Sequence, residues 1–214
     1  MNAYVTPFAG LDAIASPSHL IDFIRSNTFD RPTLVLSRDV VAQNYRALKS
    51  GLGRADIHYA VKANPAREVI ETLIAEGGRF DAASRGEIEL CLGLGAKPEH
   101  ISFGNTVKRA SDIAFAHAAG ITLFAADAEM EIDKIAEHAP GAQVYIRLLV
   151  GATGADWPLS RKFGCAPERA VDLMDQAASL GLEPVGLSFH VGSQTRRAEM
   201  WRDTLDQVDA VWTE

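Results

Sequence analysis

The sequence predicts an α/β protein, a (β/α)8 barrel of parallel strands truncated after about six β/α units. Three observations predict it. Short β-type runs alternate with helical stretches from residue 57 onward, as expected for strand, helix, strand units around a parallel sheet. Several of the runs are apolar almost throughout, which suits strands covered on both faces. Six such units occupy 57–214, whereas a closed barrel needs eight and typically about 250 residues.

The elements follow in order. Residues 1–56 precede the barrel and read as a short amphipathic helix in HLIDFIRS, a strand in TLVLS, and a helix in VVAQNYRALKSGL with Val41, Tyr45 and Leu48 on one face. The partial barrel, 57–214, opens with the strand IHYAVK (57–62). The helix after it carries Val69, Ile70, Leu73 and Ile74 at helical spacing and stops at Gly77-Gly78, where a left-handed turn is available. RFDAAS (79–84), ISFGN (101–105) and TLFAAD (122–127) are the next strands, with helices running through Leu94, Ala119 and Ala139. AQVYIRLLV (142–150) and PVGLSFHVG (184–192) are longer strands. Between them a helix opens at Pro167, a favoured first-turn residue, and closes before Gly181. The last helix sets Trp201, Leu205, Val208 and Trp212 at steps of three and four.

Composition narrows the function. Of 214 residues, 47% are hydrophobic, enough to bury one sizeable core. Lys and Arg total 21 against 28 Asp and Glu, and the net charge of −7 is spread without basic blocks. That argues against nucleic acid or an anionic membrane surface as the main partner. The one basic pair, Arg196 and Arg197, reads as a solvated helix start. No apolar run approaches a membrane span and the N-terminus lacks the basic region of a signal peptide, so a soluble cytoplasmic protein is expected. Cys91 and Cys165 lie outside any CxxC or Cys/His pair, which gives no support to zinc or a disulfide framework and leaves two reduced thiols.

In parallel α/β folds the reactive groups gather at the carboxyl ends of the strands. The polar residues there are Lys62, Asp81, Arg147 and His190, with Ser193 just beyond. Lys62 ends a run that reads as buried and is the only lysine at a predicted strand end. A buried ammonium must be paired, lose its proton or be covalently occupied. Two readings stay open on the residues alone: an ion pair with an acid such as Asp81, or a neutral amine that attacks carbonyl carbon. His190 reads either as a hydrogen-bonded core histidine or as a site residue. Glu87 fits a capping box, with Ser84 as N-cap and Glu87 reaching back to its amide.

The segments YAVKANP, RFDAASRGEIEL, YIRL, RKFG and SFHVGSQ, in this order and spacing, resemble the fold-type III pyridoxal-phosphate decarboxylases of basic amino acids, the ornithine/lysine decarboxylase family. The likeness runs from about Thr33 to the C-terminus. It implies a pyridoxal 5'-phosphate-binding barrel of the alanine racemase/ornithine decarboxylase type. Lys62 matches the lysine that carries the cofactor covalently, His190 the imidazole that stacks on the pyridine ring, and Ser193 a hydroxyl that bonds the phosphate. Arg147 resembles an active-site arginine and Asp81 the acid near the lysine. Glu87 matches an active-site glutamate, a role that shares its helix end with the cap. SRKFG, Ser160 to Gly164, resembles a loop motif of the ornithine-like branch.

The implied activity is decarboxylation of L-ornithine, or L-lysine, to a diamine, as in putrescine and polyamine synthesis, by a homodimer. The family's glycine-rich phosphate loop after the seventh strand, its EPGR-like segment at the eighth and its C-terminal β-domain do not occur in these 214 residues. A fragment of a longer protein, or a truncated product, is therefore expected. Three rivals accompany this reading: diaminopimelate decarboxylase, a non-catalytic decarboxylase-like regulator, and a small single-barrel pyridoxal-phosphate carrier.

Overall fold

The computed structural model describes residues 18–150, 162–192 and 198–213. In chain order the elements are α1 (Ser18–Ser26), α2 (Arg38–Leu52), β1 (His58–Ala60), α3 (Arg67–Ala75), β2 (Arg79–Ala82), α4 (Arg85–Gly93), β3 (Ile101–Phe103) and α5 (Ala110–Ala118). There follow β4 (Leu123–Ala126), α6 (Glu129–His138), β5 (Gln143–Arg147), α7 (Pro167–Ser179), β6 (Glu183–Ser188) and α8 (Ala198–Trp212). The six strands form one sheet in the order β1-β2-β3-β4-β5-β6, every neighbouring pair parallel. This is the predicted partial barrel. Among the described residues β1 and β6 each have a strand on one side only.

Strand residues alternate between the helix layer and the barrel interior. Phe80, Phe103, Phe124, Val144 and Ile146 point to the helices and are at most 1% exposed. Each buried phenylalanine contributes about 2–3 kcal/mol of transfer free energy. The register then places His58, Asp81, Ser102, Ala125, Tyr145 and Arg147 on the opposite, interior face. Between β5 and β6 a bulge skips Val185, so Tyr145 pairs with Gly186 and Arg147 with Ser188. The inward row therefore continues from Ser188 to His190.

The helix stops are local. After α3, Gly77 takes φ +77°, its amide bonds Ile74 O at 3.0 Å, and the Gly78 amide bonds Leu73 O at 2.8 Å, a Schellman closure. The same pair of bonds ends α4, α5 and α7, delivering the apolar residues Ala96, Ile121 and Leu182 into the core.

Two sequence expectations change. TLVLS forms no strand: Thr33 to Leu36 have no sheet partner, Leu34 is 85% exposed, and Ser37 instead caps α2 by accepting from Val40 N. β-propensity alone does not make a strand. In α2, Val41, Tyr45 and Leu48 share one face, as predicted: the three line a groove with Tyr59, Val69 and Leu73, Leu48 standing half exposed at its rim. In α8 the residues that turn inward are Thr204, Val208 and Val211, while Trp201, Leu205 and Trp212 are exposed. No described helix is long and apolar enough to cross a membrane.

Candidate active site

The 3-10 turn Val61–Ala63 follows β1 and decides where Lys62 goes. Val61 is fully buried, but the turn swings Lys62 out to the barrel mouth, where it is exposed. The expectation of a buried Lys62 is thus corrected. Lys62 nevertheless lies within electrostatic range of both Asp81 and His190.

Asp81 points inward from β2 and is half-buried. Its Oδ1 accepts from Ser102 Oγ at 3.3 Å. A Cβ on Gly104 would lie 1.7 Å from that oxygen, so the carboxyl group occupies space that only a glycine leaves open. Burial pushes Asp81 above the usual carboxylate range. Lys62, the Ser102 hydrogen bond and Arg147 oppose this, and Glu87 adds to it. Tyr145, which faces the same interior from β5, is also shifted upward, by burial first and then by the Asp81 charge.

Glu87 is half-buried in the first turn of α4. Ser84 Oγ accepts from Glu87 N at 3.3 Å, as the capping box predicts. The reciprocal bond differs: Glu87 Oε2 accepts from the amide of Ala83, at 2.7 Å, not from that of Ser84. The cap and the nearness to Asp81 coexist, because the helix starts where β2 delivers its last inward residue.

Arg147 ends β5, its guanidinium 5.6 Å from the Phe163 ring centroid. The loop carrying Phe163 returns to the end of β5 through Cys165 N to Arg147 O (2.9 Å) and Leu149 N to Cys165 O (2.7 Å). Asp127 Oδ2 accepts from Gly164 N at 2.8 Å and pins it. Ser160 of the SRKFG motif lies outside the described residues, as do Ser193 and the Arg196-Arg197 pair.

His190 lies two residues beyond β6 and is exposed. Its Nδ1 accepts from Gly192 N at 2.9 Å, so the neutral ring carries its proton on Nε2. Partial burial, then Arg147 and Lys62, push it below the usual histidine range and hold it neutral.

Sequence reasoning missed one group altogether. The buried lysine of this protein is Lys108, whose side chain is 0% exposed and whose Nζ meets Glu131 Oε1 at 2.9 Å, Ala125 O at 2.6 Å and Asn105 O at 2.9 Å. Lys134 reaches the other Glu131 oxygen at 2.7 Å. Burial lowers Lys108 and Glu131 opposes that shift. This network staples the loop after β3 to the end of β4, and no local pattern announces it, since its partners stand far apart in sequence. Ser102 and Tyr145 were also missed, although their inward places follow from the alternation in ISF and VYIR. Both thiols are pushed up by burial, Cys91 to about 12 and Cys165 to about 11, so neither is a ready nucleophile. No cluster of metal-ligating side chains occurs among the described residues.

An amine, a carboxylate, a guanidinium and a neutral imidazole at one mouth of a parallel β/α barrel are groups that can react with carbonyl carbon and attract an anion. The chain belongs to the pyridoxal-dependent decarboxylases: residues 38–214 match the family described as "Pyridoxal-dependent decarboxylase, pyridoxal binding domain". It is 38% identical over 174 residues to the lysine/ornithine decarboxylase of Selenomonas ruminantium, covering 81% of this chain and 44% of that protein. It is 35% identical over 189 residues to antizyme inhibitor 2 of Xenopus laevis, covering 87% of this chain and 41% of that protein. A crystal structure of an SrLDC mutant in complex with PLP superposes with TM-score 0.85 at 34% identity, covering 93% of this chain and 51% of that one. The chain thus spans less than half the length of the curated relatives named here.

Proposed function

We propose that the complete protein is a pyridoxal-phosphate-dependent decarboxylase acting on L-ornithine, or L-lysine, and releasing the diamine and CO2. The observation that carries this is the convergence of Lys62, Asp81, Arg147 and His190 on one barrel mouth in a pyridoxal-binding domain. The donor set suits the cofactor. Lys62 supplies an accessible amine for its carbonyl carbon, and the neutral His190 ring an uncharged aromatic face. Arg147 supplies a fixed positive charge and Asp81 an acid beside the amine. Ser193, by resemblance, offers a hydroxyl to the phosphate. When bound, the cofactor supplies the sink for the electron pair left as CO2 departs.

The protein's own groups bind and orient. Asp81 holds negative charge next to Lys62, and its burial keeps water from screening that charge. Glu87, tied to the Ala83 amide, keeps a second carboxylate behind Asp81. The pinned Phe163 loop covers Arg147 and fixes its direction. A cytoplasmic homodimer serving putrescine synthesis accompanies this reading. The deciding experiment compares kcat/KM of the complete protein for L-ornithine, L-lysine and meso-diaminopimelate. Preference for the last moves the protein to the diaminopimelate branch.

The likeness to antizyme inhibitor 2 favours a second reading, a decarboxylase-shaped regulator without activity. Loss of all turnover with the fold intact supports that reading against the first.

A further inference from the structure

Beneath Lys62 the barrel interior holds a hydrogen-bonded chain that no site assignment above uses. His58 Nδ1 lies 3.3 Å from Ser102 Oγ, and Ser102 Oγ lies 3.3 Å from Asp81 Oδ1. The three residues come from β1, β3 and β2, and the register sets all of them on the inward face. Ser102 is 3% exposed, so its hydroxyl has no recourse to bulk water. A serine has one proton and four possible acceptors around it here: His58 Nδ1, the Phe80 carbonyl at 3.4 Å, the Asp81 carboxylate and the Tyr145 phenol oxygen. The carboxylate is the strongest acceptor of the four. Once Ser102 donates to Asp81, its oxygen is left to accept, and the donors beside it are His58 Nδ1–H, at 3.3 Å, and the Tyr145 hydroxyl. Burial and the neighbouring Arg79 favour the neutral ring, which makes this bond in the tautomer that keeps its proton on Nδ1.

We infer that His58 and Ser102 are positioning residues for the cofactor lysine: the donor chain His58 Nδ1–H to Ser102 Oγ–H to Asp81 Oδ1 holds the Asp81 carboxylate ionised and aimed beside Lys62. Burial alone drives Asp81 towards its neutral form, and the hydrogen bond from Ser102 works against that. Space enforces the same arrangement, because the carboxyl sits where Gly104 has no side chain. The charged and titratable groups facing Asp81 are Lys62 from the turn after β1, Glu87 from α4, and Tyr145 and Arg147 from β5. Those facing His58 are Asp56, Arg79 and His100. The inference rests on the reading that Lys62 carries pyridoxal phosphate.

The test uses the complete protein loaded with pyridoxal phosphate. Borohydride reduction and peptide mapping first locate the adduct, and the visible absorption of the bound cofactor is then titrated with pH. An ionised Asp81 favours the protonated chromophore, so weakening the chain lowers the midpoint. Ser102→Ala and His58→Phe are each expected to move it down by about one unit, with the adduct still on Lys62. His58→Gln keeps an N–H donor and is expected to restore the wild-type midpoint. A merely structural role lowers the melting temperature and leaves the midpoint in place. Should Ser102→Ala fail to fold, the His58→Phe and His58→Gln pair makes the same comparison. An adduct on Lys62 with an unmoved midpoint in these variants overturns the inference alone. An adduct on another lysine overturns the functional reading and the inference with it.

Discussion

Gly164→Ala probes the loop that covers Arg147. Gly164 has φ +106°, a backbone state that costs a non-glycine residue about 1–3 kcal/mol. An added Cβ would lie 2.6 Å from Leu149 N and 2.7 Å from both C and O of Leu148. All three are backbone atoms, so no rotamer change relieves the contact. Ordinary contact begins at 3.4 Å, and 3.4 − 2.6 leaves 0.8 Å that the loop must move. That movement pulls on three hydrogen bonds: Gly164 N to Asp127 Oδ2, Cys165 N to Arg147 O, and Leu149 N to Cys165 O. Losing two of them at about 1 kcal/mol each brings the local cost to roughly 3–5 kcal/mol. The assay is amide hydrogen exchange, which reads local opening directly. The Leu149 and Cys165 amides should exchange about two to four orders of magnitude faster in the variant, while Phe103 in β3 and Phe124 in β4 keep their protection. Unchanged protection at Leu149 and Cys165 would refute the steric reasoning.

Three further outcomes follow from the site. Lys62→Ala should remove the borohydride-trapped pyridoxal adduct, and peptide mapping that finds the adduct elsewhere in the wild type sinks the assignment. Lys108→Met should cost about 3 kcal/mol in urea unfolding, and Glu131→Gln more, because it strands a fully buried ammonium. A loss below about 1 kcal/mol for both would show the network to be energetically idle. His58 is held below its ordinary 6.5 by burial first and then Arg79, so on acidification the unfolded chain takes up this proton before the folded one. Its stability contribution is therefore complete above about pH 6.5 and is lost as pH falls from there through the lower folded value. His58→Phe should flatten the melting temperature against pH in that window, and an unchanged slope argues against it.

Much of the architecture is legible without coordinates. Strand and helix types from 57 onward follow from runs of apolar residues punctuated by glycines such as Gly77, because helix stops and strand burial are local properties. The strand-end positions of Asp81 and Arg147 follow from the same pattern, and Ser84 announces its own cap. Other features depend on neighbours distant in sequence. TLVLS has the residues of a strand but pairs with none among the described residues. HYAV reads as a buried run, yet the 3-10 turn at Val61 sends Lys62 to the mouth. Lys108 is buried because Glu131 and the Ala125 carbonyl, from the next β/α unit, are there to receive its charge. The His58, Ser102 and Asp81 chain exists only through the register of three strands, which sets side chains 21 and 44 residues apart within 3.3 Å of Ser102 Oγ. Spacing along the chain encodes which face a residue takes, whereas which groups meet across strands is decided by how the sheet pairs.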